Sequence, residues 1–182
     1  MPIQVSSNEQ ESSLAIRAVY GRWFPWLVFL DLRWASQQIL ARLRALWEQR
    51  FMAASGYTIH NVDTDELAAF GWWFSSEKFD KVWAIAQLEA TLKHNGRVEA
   101  AFMIVEYLAK LSSAMPLSVL KCLGLLIESD REEWRTSTWH EQVQEILAQA
   151  HQSSDVGTRQ EAKKIAERLL AQGYPDYLVF TT

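Results

Sequence analysis

The chain has 182 residues and a mass of 21.0 kDa, the size of one ordinary domain or two small ones. Apolar residues at 49% and charged residues at 22% exclude disorder throughout, and seven Gly with four Pro are too few punctuators for an all-β sandwich. A net charge of −4 argues against a protein devoted to coating a phosphate backbone.

Helical periodicity dominates from the N-terminus onward. A short helix is expected near residues 8–20, followed by one long helix over 24–53 with Pro25 in its first turn. Asp63 and Glu66 have capping-box spacing and open a short helix, Leu67 to Phe74. The next helix is expected from about Ser76 to His94. One face holds Phe79, Val82, Trp83, Ala86 and Ala90, and a second holds Ile85, Leu88 and Leu92. Gly96 stops it, and a helix from Val98 to Ser112 places Ala101, Ile104, Val105, Leu108 and Leu111 on one stripe. Pro116 suits the first turn of a helix reaching Glu128, apolar nearly all round and therefore enclosed on several sides. Trp139, Val143, Ile146, Leu147 and Ala150 mark a helix over Thr138–Ala150. The last helix carries Ala162, Ile165, Ala166, Leu169 and Leu170, with Asp155 as its N-cap and Gly173 as its terminator. No segment reads as a strand, so the expected class is all-α with about eight helices.

Length and gap couple these helices into three antiparallel hairpins: Leu67–Phe74 with Lys78–His94, Val98–Ser112 with Pro116–Glu128, and Thr138–Ala150 with Asp155–Ala171. Their starts, near 65, 98 and 137, are 33 and 39 residues apart, in the range of helical repeats that bury their apolar faces against one another. The expected architecture is an α-solenoid of stacked hairpins over residues 60–182. Residues 1–59 would supply preceding helices, including the long aromatic and Arg-rich one, most simply within one continuous domain.

The stretch Asp155-Val-Gly-Thr-Arg159-Gln-Glu-Ala162, continuing to Ile165 and Leu169, resembles the second helix of a HEAT-like repeat. A longer pattern runs from Leu67 through Trp72-Trp73-Phe, Lys78-Phe79-Asp80, Trp83, Pro116-Leu117, Cys122-Leu123, Glu128, Asp130, Trp134 and Trp139. It resembles the C-terminal helical region of large bacterial proteins, some with sirtuin-like or nucleotide-hydrolysing domains and linked to phage defence. The resemblance covers residues 60–180. It implies an α-solenoid end without catalytic residues of its own, in a bacterial protein that is part of a longer one or a stand-alone relative.

Chemistry-bearing residues do not converge in the sequence. His140 and His151 share a helix face but sit roughly 16 Å apart along the axis, too far to grip one ion. With His60 and His94 they read as surface or loop positions. Gln144 breaks any HExxH motif after His140-Glu141. Glu141 and Glu145 read as a solvated face, and Ser129 with Glu132 as a turn or helix start. No Gly-rich phosphate loop occurs, which removes the usual nucleotide sites, and neither a metal nor a cofactor is expected. Cys122, the sole cysteine, permits no intrachain disulfide or cysteine zinc site and reads as buried and inert. A lone thiol and a polar, acidic N-terminus fit a cytoplasmic protein. The apolar run Trp23–Leu30 is too short to span a bilayer, so no membrane attachment is expected.

Nine tryptophans remain to be placed. Trp83 and Trp139 fall on core faces. Trp72 and Trp73 stand about 100° apart around a helix, so both reach the core only if it wraps that helix, and one is a candidate partner anchor. Trp23, Trp26 and Trp34 would be covered by preceding helices or by a second copy in a homodimer. Arg33, Arg42, Arg44 and Arg50 make the long helix basic, with Arg42 and Arg50 nearly on one face, otherwise a solvated face with Glu48 interspersed. The leading expectation is a non-enzymatic scaffold that binds another protein or preceding repeats, through Trp72, Trp73, Trp26, Arg42 and Arg50. The alternative is a nucleic-acid-contacting repeat protein like the HEAT-like DNA glycosylases, which the acidic balance disfavours.

Overall fold

A computed structural model of the chain describes residues 37–55, 67–129 and 138–181, and among these every regular element is helical. The α-helices are α1 (Gln37–Ser55), α2 (Phe70–Ser75), α3 (Lys81–Asn95), α4 (Ala101–Leu111), α5 (Pro116–Ser129), α6 (His140–His151) and α7 (Val156–Ala171). A 3₁₀ segment, Pro175–Phe180, closes the order. None of the described helices is long and apolar enough to cross a membrane. The helix expected near 8–20, the first turns of the long helix and the Asp63–Glu66 box lie outside the described residues.

Local signals set most of the helix ends. Asp80 accepts a hydrogen bond from the Trp83 amide at 2.9 Å, and Asp155 accepts one from Thr158 at 2.7 Å, so both helices start on a carboxylate cap. Gly96 and Gly173 take the left-handed conformation, with φ of 68° and 93°, that releases the chain after α3 and after α7. Two starts come later than periodicity suggests. Residues 76–80 form the connection that seats Phe79 in the core ahead of the Asp80 cap. Residues 97–100 run against the residues that lead into α2, where the Glu99 amide donates to the Ala68 carbonyl at 2.8 Å, and this holds them out of α4.

The helices associate in consecutive couples, α2 with α3, α4 with α5 and α6 with α7. Contacts between couples follow two rows. The first helices touch in the order α2, α4, α6 and then the 3₁₀ segment, and the second helices touch as α3, α5, α7. α5 also meets α6, so it borders four helices, which is why its sequence is apolar nearly all round: Val119, Leu120, Cys122, Leu123, Leu126 and Ile127 are all buried. One continuous core runs from Trp47 of α1 to Tyr177 of the 3₁₀ segment, so α1 and the region after residue 60 share it. The stripes expected for α4, α6 and α7 are buried except at Ala101 and Leu170, which are half-buried.

α3 departs from expectation. Val82 and Ala86 face solvent, Val82 with 65% of its surface exposed, while Trp83, Ile85, Leu88 and Leu92 are buried. The helix carries two apolar faces, and its neighbours α2 and α5 cover the arc that includes the second.

Gly71 marks the tightest approach between elements. A Cβ there would overlap the carbonyl oxygen of Glu99, a residue whose amide is fixed by its hydrogen bond to the Ala68 carbonyl. Gly71→Ala is expected to cost about 1–3 kcal/mol, the usual range for overpacking. A urea titration should place its midpoint below the parent's with an unchanged slope.

Candidate interaction surface

The paired tryptophans separate by environment. Trp73 is buried and stacks on Phe79, ring centres 5.6 Å apart and planes within 10°, with Trp47 on another side at 5.7 Å. Phe70 joins Trp47 at 4.6 Å and Trp83 at 5.9 Å, so five large rings from α1, α2, α3 and their connection form one cluster. Such tilted and edge contacts suit the ring quadrupoles. Trp72 is half-buried on the outer side of α2, and its indole N–H donates to Glu99 Oε2 at 2.6 Å. Its polar atom is therefore engaged and only part of its ring is available to a partner. Trp26 lies outside the described residues. Arg42 and Arg50 fall within α1, their side chains outside what is described.

Glu48 is more than an interspersed surface acid. It accepts from Arg44 Nε at 2.9 Å and from Trp83 Nε1 at 2.7 Å, and the Arg44 guanidinium lies 5.2 Å over the Trp83 ring. The Arg44 hydrogen bond, then that of Trp83, lowers the Glu48 pKa. The adjacent residue of α1, Trp47, donates from Nε1 to Oε1 of Gln87, one turn beyond Trp83 in α3, at 3.2 Å. Two indole hydrogen bonds thus fasten α1 to α3. Only the tertiary pairing of residues 35 and 40 positions apart reveals this.

The histidines serve packing. The Tyr177 hydroxyl lies 3.0 Å from His140 Nδ1, and Asp176 Oδ2 lies 3.6 Å from Nε2. Tyr177 is fully buried, and that burial raises its pKa. The half-buried His140 thereby anchors the 3₁₀ segment rather than lying free on the surface, a role that needed the partner 37 residues away. His94 meets Phe51 edge-on, and His151 meets Phe180. Among the described residues no three His, Cys, Asp or Glu side chains are grouped to hold a metal ion. Cys122 is buried with Sγ 3.7 Å from the Ile85 carbonyl, and desolvation pushes its thiol pKa up, so it stays protonated and unreactive. Glu141 and Glu145 are exposed.

The exposed faces of α3, α5 and α7 enclose a shallow groove of about 270 Å³. Leu125, Ile165 and Gly124 line it, with Lys93, Lys121, Lys164 and Arg168 above them and Glu89, Glu128 and Glu161 between these. Lys93 pairs with Glu89, Arg168 with Glu128 and Lys164 with Glu161. The two rows differ in charge. Over α3, α5 and α7, Lys and Arg outnumber Asp and Glu seven to four. Over α2, α4 and α6 the acids lead three to one.

No protein-family model, curated protein or solved structure matches this chain.

Because folding lowers the Glu48 pKa, the unfolded chain takes up the proton first as pH falls. The carboxylate's stabilising contribution is complete above the ordinary Glu range and is lost as pH falls from that range through the lower pKa of the folded state. Hydrogen exchange compared above and below the ordinary Glu range is expected to show α1 loosening ahead of α4–α7 only at the lower pH, and Glu48→Gln should remove the difference. Tyr177→Phe keeps the ring and deletes the hydroxyl, with an expected cost of about 1 kcal/mol. Its amide protection should fall over residues 174–181 and stay unchanged over α3.

Proposed function

We propose that the chain is a non-enzymatic helical-repeat scaffold, a HEAT-like α-solenoid segment that binds another protein or continues a longer stack of helices. The observation that carries this reading is a repeated spacing. Several side-chain hydrogen bonds join neighbouring couples, Trp72 to Glu99 and Lys110 to Glu77 among them, and three recur at one spacing: Cys122 to Ile85, Ser112 to Gln149, and Tyr177 to His140. Each of these three spans 37 residues. A recurrent offset close to the length of one hairpin is what stacked units call for, and the main contacts, which fall within and between adjacent couples, agree with it. On this reading the 3₁₀ segment stands where the first helix of a further unit would begin, beside α6.

The resemblance to C-terminal helical regions of large bacterial proteins makes closure of a longer stack one such role, in a cytoplasmic bacterial setting. Homodimerisation through Trp26 and its aromatic neighbours is a second route to covering the N-terminal helices. The nucleic-acid alternative is weaker, because three carboxylates stand among the cations of the groove and would meet incoming phosphates.

A nearest-neighbour stack responds locally to damage. Leu147→Ala removes a fully buried side chain of α6 at an expected cost of about 2–5 kcal/mol. Exchange protection should fall in α6 and α7, less in α5 and least in α2 and α3. Uniform loss along the chain would argue for a single indivisible core instead. Hydrolysis of nucleotides or nucleic acid by the purified protein, abolished by one substitution, would overturn the non-enzymatic reading.

A further inference from the structure

The groove across α3, α5 and α7 carries a feature that packing leaves unexplained. Gly124 sits in the interior of α5, where glycine costs about 1 kcal/mol relative to alanine. A Cβ at that position would meet Ile165 at 3.8 Å, an ordinary van der Waals distance, so the contact between α5 and α7 does not require its absence. The missing side chain instead leaves the floor of the groove open beside Leu125 and Ile165.

Charge on the walls is unevenly answered. Glu89, Glu128 and Glu161 each have a cation within 3.0 Å. Lys121 is exposed, lines the same groove and has no carboxylate within ion-pairing distance among the described residues. A groove of about 270 Å³ is smaller than the usual cofactor or drug-sized pocket. Its apolar floor suits an aliphatic side chain, and Lys121 suits a carboxylate next to it. A polyanion with a phosphate at every step would confront three acids; a peptide can place its charge at one point.

We propose that this groove docks a short acidic segment of a partner protein, seating an aliphatic side chain over Gly124, Leu125 and Ile165 and pairing a carboxylate with Lys121. The proposal rests on the scaffold reading and names the chemistry of the partner that reading requires. The positive row attracts such a segment over a distance, and the open floor gives it a place to be desolvated. The three ion pairs flanking the floor leave the cations Lys93, Lys164 and Arg168 occupied, so recognition centres on Lys121.

The test uses the whole chain and fluorescein-labelled peptides of equal length, followed by anisotropy. One peptide carries Leu flanked by Glu, a second replaces Leu by Ser, and a third replaces the Glu residues by Lys. The Glu–Leu peptide is expected to bind saturably and to weaken as salt is raised, with both altered peptides weaker. Lys121→Glu should reduce its affinity about tenfold, equivalent to 1.4 kcal/mol, without moving the urea midpoint. Lys121→Arg should retain binding. Gly124→Phe should block the floor, and Gly124→Ala should stabilise the protein while weakening binding. Failure of the Glu–Leu peptide to saturate, equal binding of the Lys-flanked peptide, or indifference to Lys121→Glu would each overturn the proposal. So would tighter binding of single-stranded DNA than of the acidic peptide. A partner protein captured equally by the parent and by Lys121→Glu would overturn the groove assignment while leaving the scaffold reading intact. Catalytic turnover would remove the scaffold reading itself.

Discussion

The burial of α5 is the constraint around which the described chain is arranged. Its apolar residues cover most of its circumference, so no single neighbour can remove them from water. Contact with α3, α4, α6 and α7 achieves that removal, and it requires one couple of helices on either side. The apolar stripes of α4 and α6 and the buried arc of α3 are satisfied in the same packing. A helix of this kind needs neighbours on several sides by composition, and four helices supply them here.

Aromatic residues perform a different task at the other end. Trp47, Phe70, Trp73, Phe79 and Trp83 weld α1 to the first couple, where α2 has only six residues and little stripe of its own to offer. The indole N–H groups of Trp47, Trp72 and Trp83 each find a side-chain oxygen, so burying these large rings leaves no donor of theirs unsatisfied. The tryptophan surplus is thus largely structural among the described residues. Where the chain presents a surface for recognition, the stronger candidate is the charged groove on the opposite helix row, not the aromatic pair on α2.

Several of these assignments are legible in the residues alone. The caps at Asp80 and Asp155, the glycine stops at 96 and 173 and the stripes of α4, α6 and α7 all depend on neighbours within about a turn, and periodicity reports them directly. Val82 and Ala86 are misplaced by the same method, because a helix with two apolar faces does not declare which one its neighbours will cover. Glu48 and His140 escape it for a related reason. Each looks like an ordinary surface residue until an element 35 or 37 positions away supplies the indole or the hydroxyl it binds. Lys121 and Gly124 read only as parts of an apolar helix; the groove they share exists between three helices and belongs to none of them.

By itself the sequence determined the all-helical class, most helix boundaries and the buried character of Cys122, since each follows from interactions along one helix or from composition. The tertiary structure alone decided the order of the two rows, the opposite charge they carry, the fastening of α1 and the groove. These depend on which side chains meet across couples, and no periodicity within a helix encodes the distance between two helices.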